Sequence, residues 1–175
     1  LSKDWPEFYR RFVLNHVPSL ARAVLGKFPG KDYHRQGSPR VFLRHGYFTG
    51  ASCLSGIGKA LEEYGVNNHQ YDFTHPLEDL TDRFLAKVED SVEATGRKVH
   101  AVGHSKGAAI ILGAYRKEPE LFDKIVTMAI PYFGSERSHG FKFVNSLWEL
   151  RPESEIIQTL SNGPLPENAD ILNLY

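Results

Sequence analysis

Apolar residues fall into two alternating kinds of segment along this chain. Short apolar runs at Val41–Leu43, Val99–Val102 and Ile125–Ile130 read as strands, the last β-branched and of the kind buried in a parallel sheet. Between them lie stretches with apolar positions three or four apart, which predict helices over Leu54–Tyr64, Leu77–Ala94 and Lys106–Lys117. In the second of these, Leu80, Phe84, Leu85 and Val88 form one stripe. Asn68–Phe73 reads as a weaker strand and Ile171–Leu174 as a last one. Phe141–Leu150 is amphipathic, and a polar stretch with Pro152, Pro164 and Pro166 follows it. Upstream, Trp5–Phe28 has Phe8, Phe12, Leu20, Val24 and Leu25 at helical spacing, broken by Pro18, so two short amphipathic helices are expected there. A charged linker, Gly30–Arg40, joins them to the rest. Repeated strand–helix units imply an α/β fold: a doubly wound, mostly parallel sheet flanked by helices.

Composition narrows the partners more than the fold. With 175 residues, 41% of them hydrophobic, the chain can bury one good core, and a single domain is expected. Lys and Arg balance Asp and Glu at 21 each, so no long-range field draws the protein to nucleic acid or an anionic membrane. Cys53 has no partner for an internal disulfide and is expected to pack as a small apolar side chain. No run has the apolar length of a membrane span, and the first residues lack the apolar centre of a signal peptide. The chain opens on Leu1 rather than methionine, which leaves the compartment open.

One stretch carries candidate chemistry. In Gly103-His104-Ser105-Lys106-Gly107 a serine has glycine two residues away on each side, after a strand-like run and before a helix-like one. Strand, sharp turn and helix form a nucleophile elbow, in which the serine is lifted clear of the sheet and the glycines avoid a collision across the bend. A serine hydroxyl is a weak nucleophile at neutral pH and needs a base, a group orienting that base, and donors for the oxyanion. The backbone N–H of Lys106, at the positive end of its helix, is one candidate donor. The loop His45-Gly46-Tyr47-Phe48-Thr49-Gly50 directly follows a strand, and the Tyr47 N–H is the candidate for the second.

Arg40-Val41-Phe42-Leu43-Arg44-His45-Gly46, the serine elbow, and Ile125-Val126-Thr127-Met128-Ala129-Ile130-Pro131 with Gly134-Ser135 together resemble the core of α/β-hydrolase lipases and esterases, especially small bacterial lipases. The likeness runs from about Arg40 to Ser135 and implies ester cleavage through an acyl-enzyme on Ser105, without a cofactor. It implies a small-molecule ester or lipid as substrate, with transient contact at a lipid interface, and it leans towards secretion. Residues 1–39 would be a helical extension, 40–135 the core, 136–169 a cap or lid, and 170–175 a strand leading to the acid. The family order along the chain is serine, acid, histidine. On that alignment both the acid and the histidine belong after Tyr175.

Other residues receive quieter readings. His139 is the only histidine after the serine, and Glu136 or Asp170 would be its partner on paper, but Ser138–Gly140 reads as a helix start. His104 points away from the serine and packs against neighbouring strands; His45 shapes the oxyanion loop instead of moving protons. His69, Asp72 and His75 read as solvated positions at a strand end, not metal ligands. The aromatic residues Tyr47, Phe48, Tyr132, Phe133, Phe141 and Phe143 are either ordinary packing or the wall of an acyl site. Thioester, amide or acyl-transfer chemistry fits the same scaffold, as does a non-catalytic binding domain.

Overall fold

A computed structural model describes residues 39–174 apart from Phe48, Phe73 and 142–144, so the two helices expected before Gly30 lie outside the described residues. Five strands form one parallel sheet in the order β2-β1-β3-β4-β5: β1 Val41–Arg44, β2 Val66–Asn67, β3 Val99–His104, β4 Phe122–Met128 and β5 Asp170–Leu174. Val41, Phe42, Leu43 and Arg44 are all buried, as a strand covered on both faces requires.

One face carries the larger core. Helix α2 (Leu77–Thr95) lays Leu77, Leu80, Phe84, Leu85 and Val88 against it. Beside α2 runs α3 (Lys106–Lys117), whose residues from Lys106 to Leu112 are buried. A helix whose middle, Ala108–Leu112, is apolar all round belongs at the centre of a layer. Gly96 ends α2 in the left-handed conformation, φ 62°, with its N–H on the carbonyl of Val92 at 2.7 Å. On the opposite face, Leu54, Ile57 and Leu61 cover Val41, Leu43, Val66 and Val102. Helices therefore flank the sheet on both sides.

Several expected elements differ. The segment Leu54–Tyr64 is not one helix but a 3-10 turn (Ala51–Leu54), a short helix α1 (Ser55–Ala60) and another 3-10 turn (Glu62–Tyr64). Ala51 and Leu54 take the inward positions of the first turn, which leaves Cys53 exposed instead of packed. The second strand is Val66–Asn67, not Asn68–Phe73. Asn68 and Gln70 are drawn out of strand pairing by the Ala51 backbone: the Asn68 amide donates to the Ala51 carbonyl at 2.9 Å and Gln70 Oε1 accepts its N–H at 2.9 Å.

Among the described residues after β4 are a 3-10 turn (Glu136–Phe141) and two α-helices, α4 (Asn145–Trp148) and α5 (Glu155–Asn162), the second where the sequence reads as polar linker. Ser154 caps α5 by accepting from the Ile157 N–H at 3.2 Å, and Ile157 and Leu160 join Leu147 and Leu150 in the main core. Arg116 then holds the far end of α5, donating to the Gly163 carbonyl at 2.7 Å. The Tyr115 hydroxyl ties down the approach to β5, donating to the Pro166 carbonyl and accepting from Asn168 and Ala169 N–H, both at 3.1 Å.

Candidate active site

Because the strands are parallel, β1, β3, β4 and β5 all end on one rim, the edge where ligands bind in open α/β sheets. Ser105 sits on that rim between β3 and α3. Its backbone stands at φ 53°, ψ −119°, a conformation L-residues enter only when the surroundings impose it. The surroundings do. The Ser105 N–H donates to the Met128 carbonyl at 2.8 Å, and its own carbonyl accepts from Ala108 and Ala109 N–H at 3.0 and 3.3 Å, starting α3. A β-carbon on Gly103 would lie 2.5 Å from Ala108 Cα, and one on Gly107 2.2 Å from the Arg44 carbonyl oxygen. No side chain fits at either place.

The loop after β1 closes onto this bend. A β-carbon on Gly46 would stand 2.7 Å from His104 Nδ1 and 2.9 Å from Ser105 Cβ, so His104 packs beneath the loop and the loop passes directly over the serine. The Gly46 carbonyl accepts from His45 Nδ1 at 2.9 Å and from the Thr49 hydroxyl at 3.0 Å, which ties Thr49 back to Gly46. His45 is 1% exposed and stacked on Tyr71 with ring centroids 4.2 Å apart, while the Tyr71 hydroxyl donates to the His45 carbonyl at 2.5 Å. Burial lowers the His45 pKa to about 4, so the ring is neutral and serves as a strut of the loop.

Lys106, the residue after the serine, has a fully buried side chain. Its ammonium donates to the His75 carbonyl at 3.0 Å and lies 5.4 Å from the ring centroid of Tyr47, whose hydroxyl is 3.1 Å from Ser146 Oγ on α4. Burial draws the Lys106 pKa down to about 8, against the pull of Glu149 and Asp72. The sequence drew attention to the Lys106 amide and passed over its side chain. The available signal was a cation opening a helix that is apolar for its next residues.

Ala129, within the run after the elbow, is the neighbour of this bend: it too has positive φ, 48°, and its N–H donates to the Leu174 carbonyl at 2.8 Å. Asp170 stands at the opposite end of β5, paired with Lys124 at 2.8 Å, and its strand carries it away from the rim that holds Ser105. His139 faces Glu136 at 3.6 Å and Glu153 at 3.4 Å, edge-on to Trp148. His75 faces Asp79 at 3.1 Å and Asp72 at 3.7 Å. Of the aromatic residues, Tyr47 and Tyr132 are half-buried, the latter donating to Asn173 Oδ1 at 3.1 Å, and Phe133 is 85% exposed.

No family model matches the chain, and no curated protein sequence matches it either. Solved structures do. The mature form of Bacillus licheniformis lipase BlEst2 superposes with a TM-score of 0.64 at 16% identity, over 83% of this chain and 69% of that one. Phospholipase PlaB of Legionella pneumophila gives 0.60 at 15% identity, over 78% of this chain and 39% of that one. The fold is that of the α/β-hydrolases. Aspergillus fumigatus lipase B, with a TM-score of 0.58 at 16% identity, matches 75% of this chain and 35% of its own. The chain thus spans little more than a third of two of these hydrolase-fold proteins and about two thirds of the other. N-formylmaleamic acid deformylase of Pseudomonas putida S16 shares the hydrolase fold as well, with a TM-score of 0.55 at 15% identity over 82% of this chain and 76% of that one.

Proposed function

We propose that the chain is the nucleophile-bearing part of a serine hydrolase that cleaves carboxylic esters. The observation that carries this reading is the backbone of Ser105: a positive-φ serine, walled by three close glycine approaches, at the C-terminal rim of the sheet and the start of a buried helix. A conformation of that cost persists at a rim where the hydroxyl has work to do.

In this reading Ser105 Oγ attacks the ester carbonyl as its proton passes to a histidine base. The resulting oxyanion is held by the Tyr47 and Lys106 amides; collapse expels the alcohol, protonated by the same histidine, and leaves an acyl-serine that water hydrolyses. In the family order, the acid and then the histidine follow the serine along the chain. Gly46, Gly103 and Gly107 clear space for the bend, and His45 and His104 support the loop above it. The lipases among the structural neighbours favour a lipid or small ester as substrate and contact with a lipid surface. The deformylase neighbour favours a second reading, cleavage of an acyl C–N bond by the same serine.

The test uses the full-length protein with p-nitrophenyl esters of graded acyl length, the matching p-nitroanilides, and a fluorophosphonate label. Ester turnover and labelling that both vanish in Ser105→Ala support the reading. Turnover that survives the substitution overturns it, and anilide turnover exceeding ester turnover selects the second reading.

A further inference from the structure

We propose that the Lys106 ammonium is a positioning residue for the loop after β1, holding Tyr47 over the bend so that the Tyr47 and Lys106 amides face one acceptor; this rests on the hydrolytic reading of Ser105. Three segments meet at this one side chain, and the charge of a fourth bears on it. Lys106 itself begins α3, the Tyr47 ring comes from the loop after β1, the His75 carbonyl from the approach to α2, and Glu149 from the residue following α4.

A buried cation is expensive to keep for packing alone, because methionine would fill the same volume without the desolvation cost. What the charge adds is attraction to the face of Tyr47 and a charge-assisted hydrogen bond to the His75 carbonyl. Among the described residues, the groups acting on it include the Tyr47 phenol, the His75 backbone, and the negative charges of Asp72 and Glu149. Hydrogen bonds from Thr74 hold the Asp72 carboxyl below the usual carboxylate range, and burial raises the Tyr47 phenol above the usual tyrosine range. Glu149 is anchored separately, accepting from the Leu77 N–H at 2.8 Å. Lys106, with a pKa near 8, is then the group in this cluster whose charge fades first as the solution turns mildly alkaline.

The experiment compares full-length wild type with Lys106→Met and Lys106→Gln, using p-nitrophenyl ester kinetics and hydrogen exchange at the amides of residues 45–50. Expected is a kcat loss of roughly ten- to a hundredfold with KM little changed. A decline of wild-type kcat above pH 8 is also expected, absent from both variants. In exchange, the amides of 45–50 open faster in the variants, and in wild type at pH 9 relative to pH 7 after correction for intrinsic rates. The wild-type pH comparison needs no variant to fold. Exchange of 45–50 that ignores both substitution and pH overturns the proposal whether or not the ester is cleaved. A kcat loss with an alkaline decline that persists in Lys106→Met overturns it too. Loop exchange that responds as expected in a protein that does not cleave the ester or take the label upholds the positioning role and removes the hydrolytic reading alone.

Discussion

A β-carbon added to Gly46 would stand 2.9 Å from Ser105 Cβ, closer than unbonded carbons approach, so the loop after β1 and the bend after β3 form one steric unit. Gly46→Ala must push the loop outward. The expected result is a fall in kcat of about tenfold or more with only a modest change in thermal midpoint, read by ester kinetics beside a melting curve. Gly107→Ala behaves differently: its methyl would meet the Arg44 carbonyl at 2.2 Å, where only backbone can yield. Urea unfolding should show a loss of about 3 kcal/mol.

Ser105 and Ala129, on adjacent strand ends, both hold positive φ without being glycine. Relieving either should stabilise the protein. Ser105→Gly and Ala129→Gly are each expected to gain roughly 0.5–1 kcal/mol in denaturant unfolding, the strain released outweighing the extra freedom of the unfolded chain. Ala129→Gly should leave ester turnover within about twofold, since the residue contributes no side chain beyond a methyl group.

His45 makes stability depend on acid. Its pKa is lowered from 6.5 to about 4 by burial, so between those values the unfolded chain binds a proton that the native chain does not. Stability from this group is unchanged above pH 6.5, declines as pH falls through the window, and is lower by roughly 3 kcal/mol once pH is below 4. His45→Asn keeps a donor for the Gly46 carbonyl and removes the titration. Its unfolding free energy should be flatter than that of wild type from pH 6.5 to 4.

Tyr115 joins α3 to the approach to β5 through a hydroxyl that serves the Pro166 carbonyl and two backbone N–H groups. Tyr115→Phe strands those groups in a partly buried place. The expected cost is about 2 kcal/mol, with faster hydrogen exchange confined to residues 166–174.

Legibility in the sequence followed the strength of the local constraint. β1, β3 and β4 were readable because a sheet covered on both faces favours short, mostly apolar runs, as at Val41–Leu43, Val99–Val102 (interrupted by His100) and Ile125–Val126. The elbow was readable because its clearances exclude any residue but glycine at 103 and 107. Val66–Asn67 was not, being a two-residue strand on the sheet's edge that leaves no periodicity to detect. Helix α5 was hidden by its own composition: its eight residues carry Glu155, Gln158, Ser161 and Asn162 outward, and only Ile157 and Leu160 mark the buried side. Ser154 ahead of that pair was the overlooked clue. Pairings made across the fold, such as the Lys106 ammonium over Tyr47 or Tyr71 under His45, leave no trace in spacing at all.

The glycine clearances bear on how such a site diversifies. Where main chain touches main chain at positions 103 and 107, and lies against the side chains of His104 and Ser105 at position 46, the scaffold of the rim is mutationally incompressible, and a change there alters whether a hydroxyl is presented rather than what is presented to it. Novelty has to be written in side chains that project from this frame. Phe133, standing almost wholly in solvent one turn past β4, is such a position, open to replacement without disturbing the frame that holds Ser105.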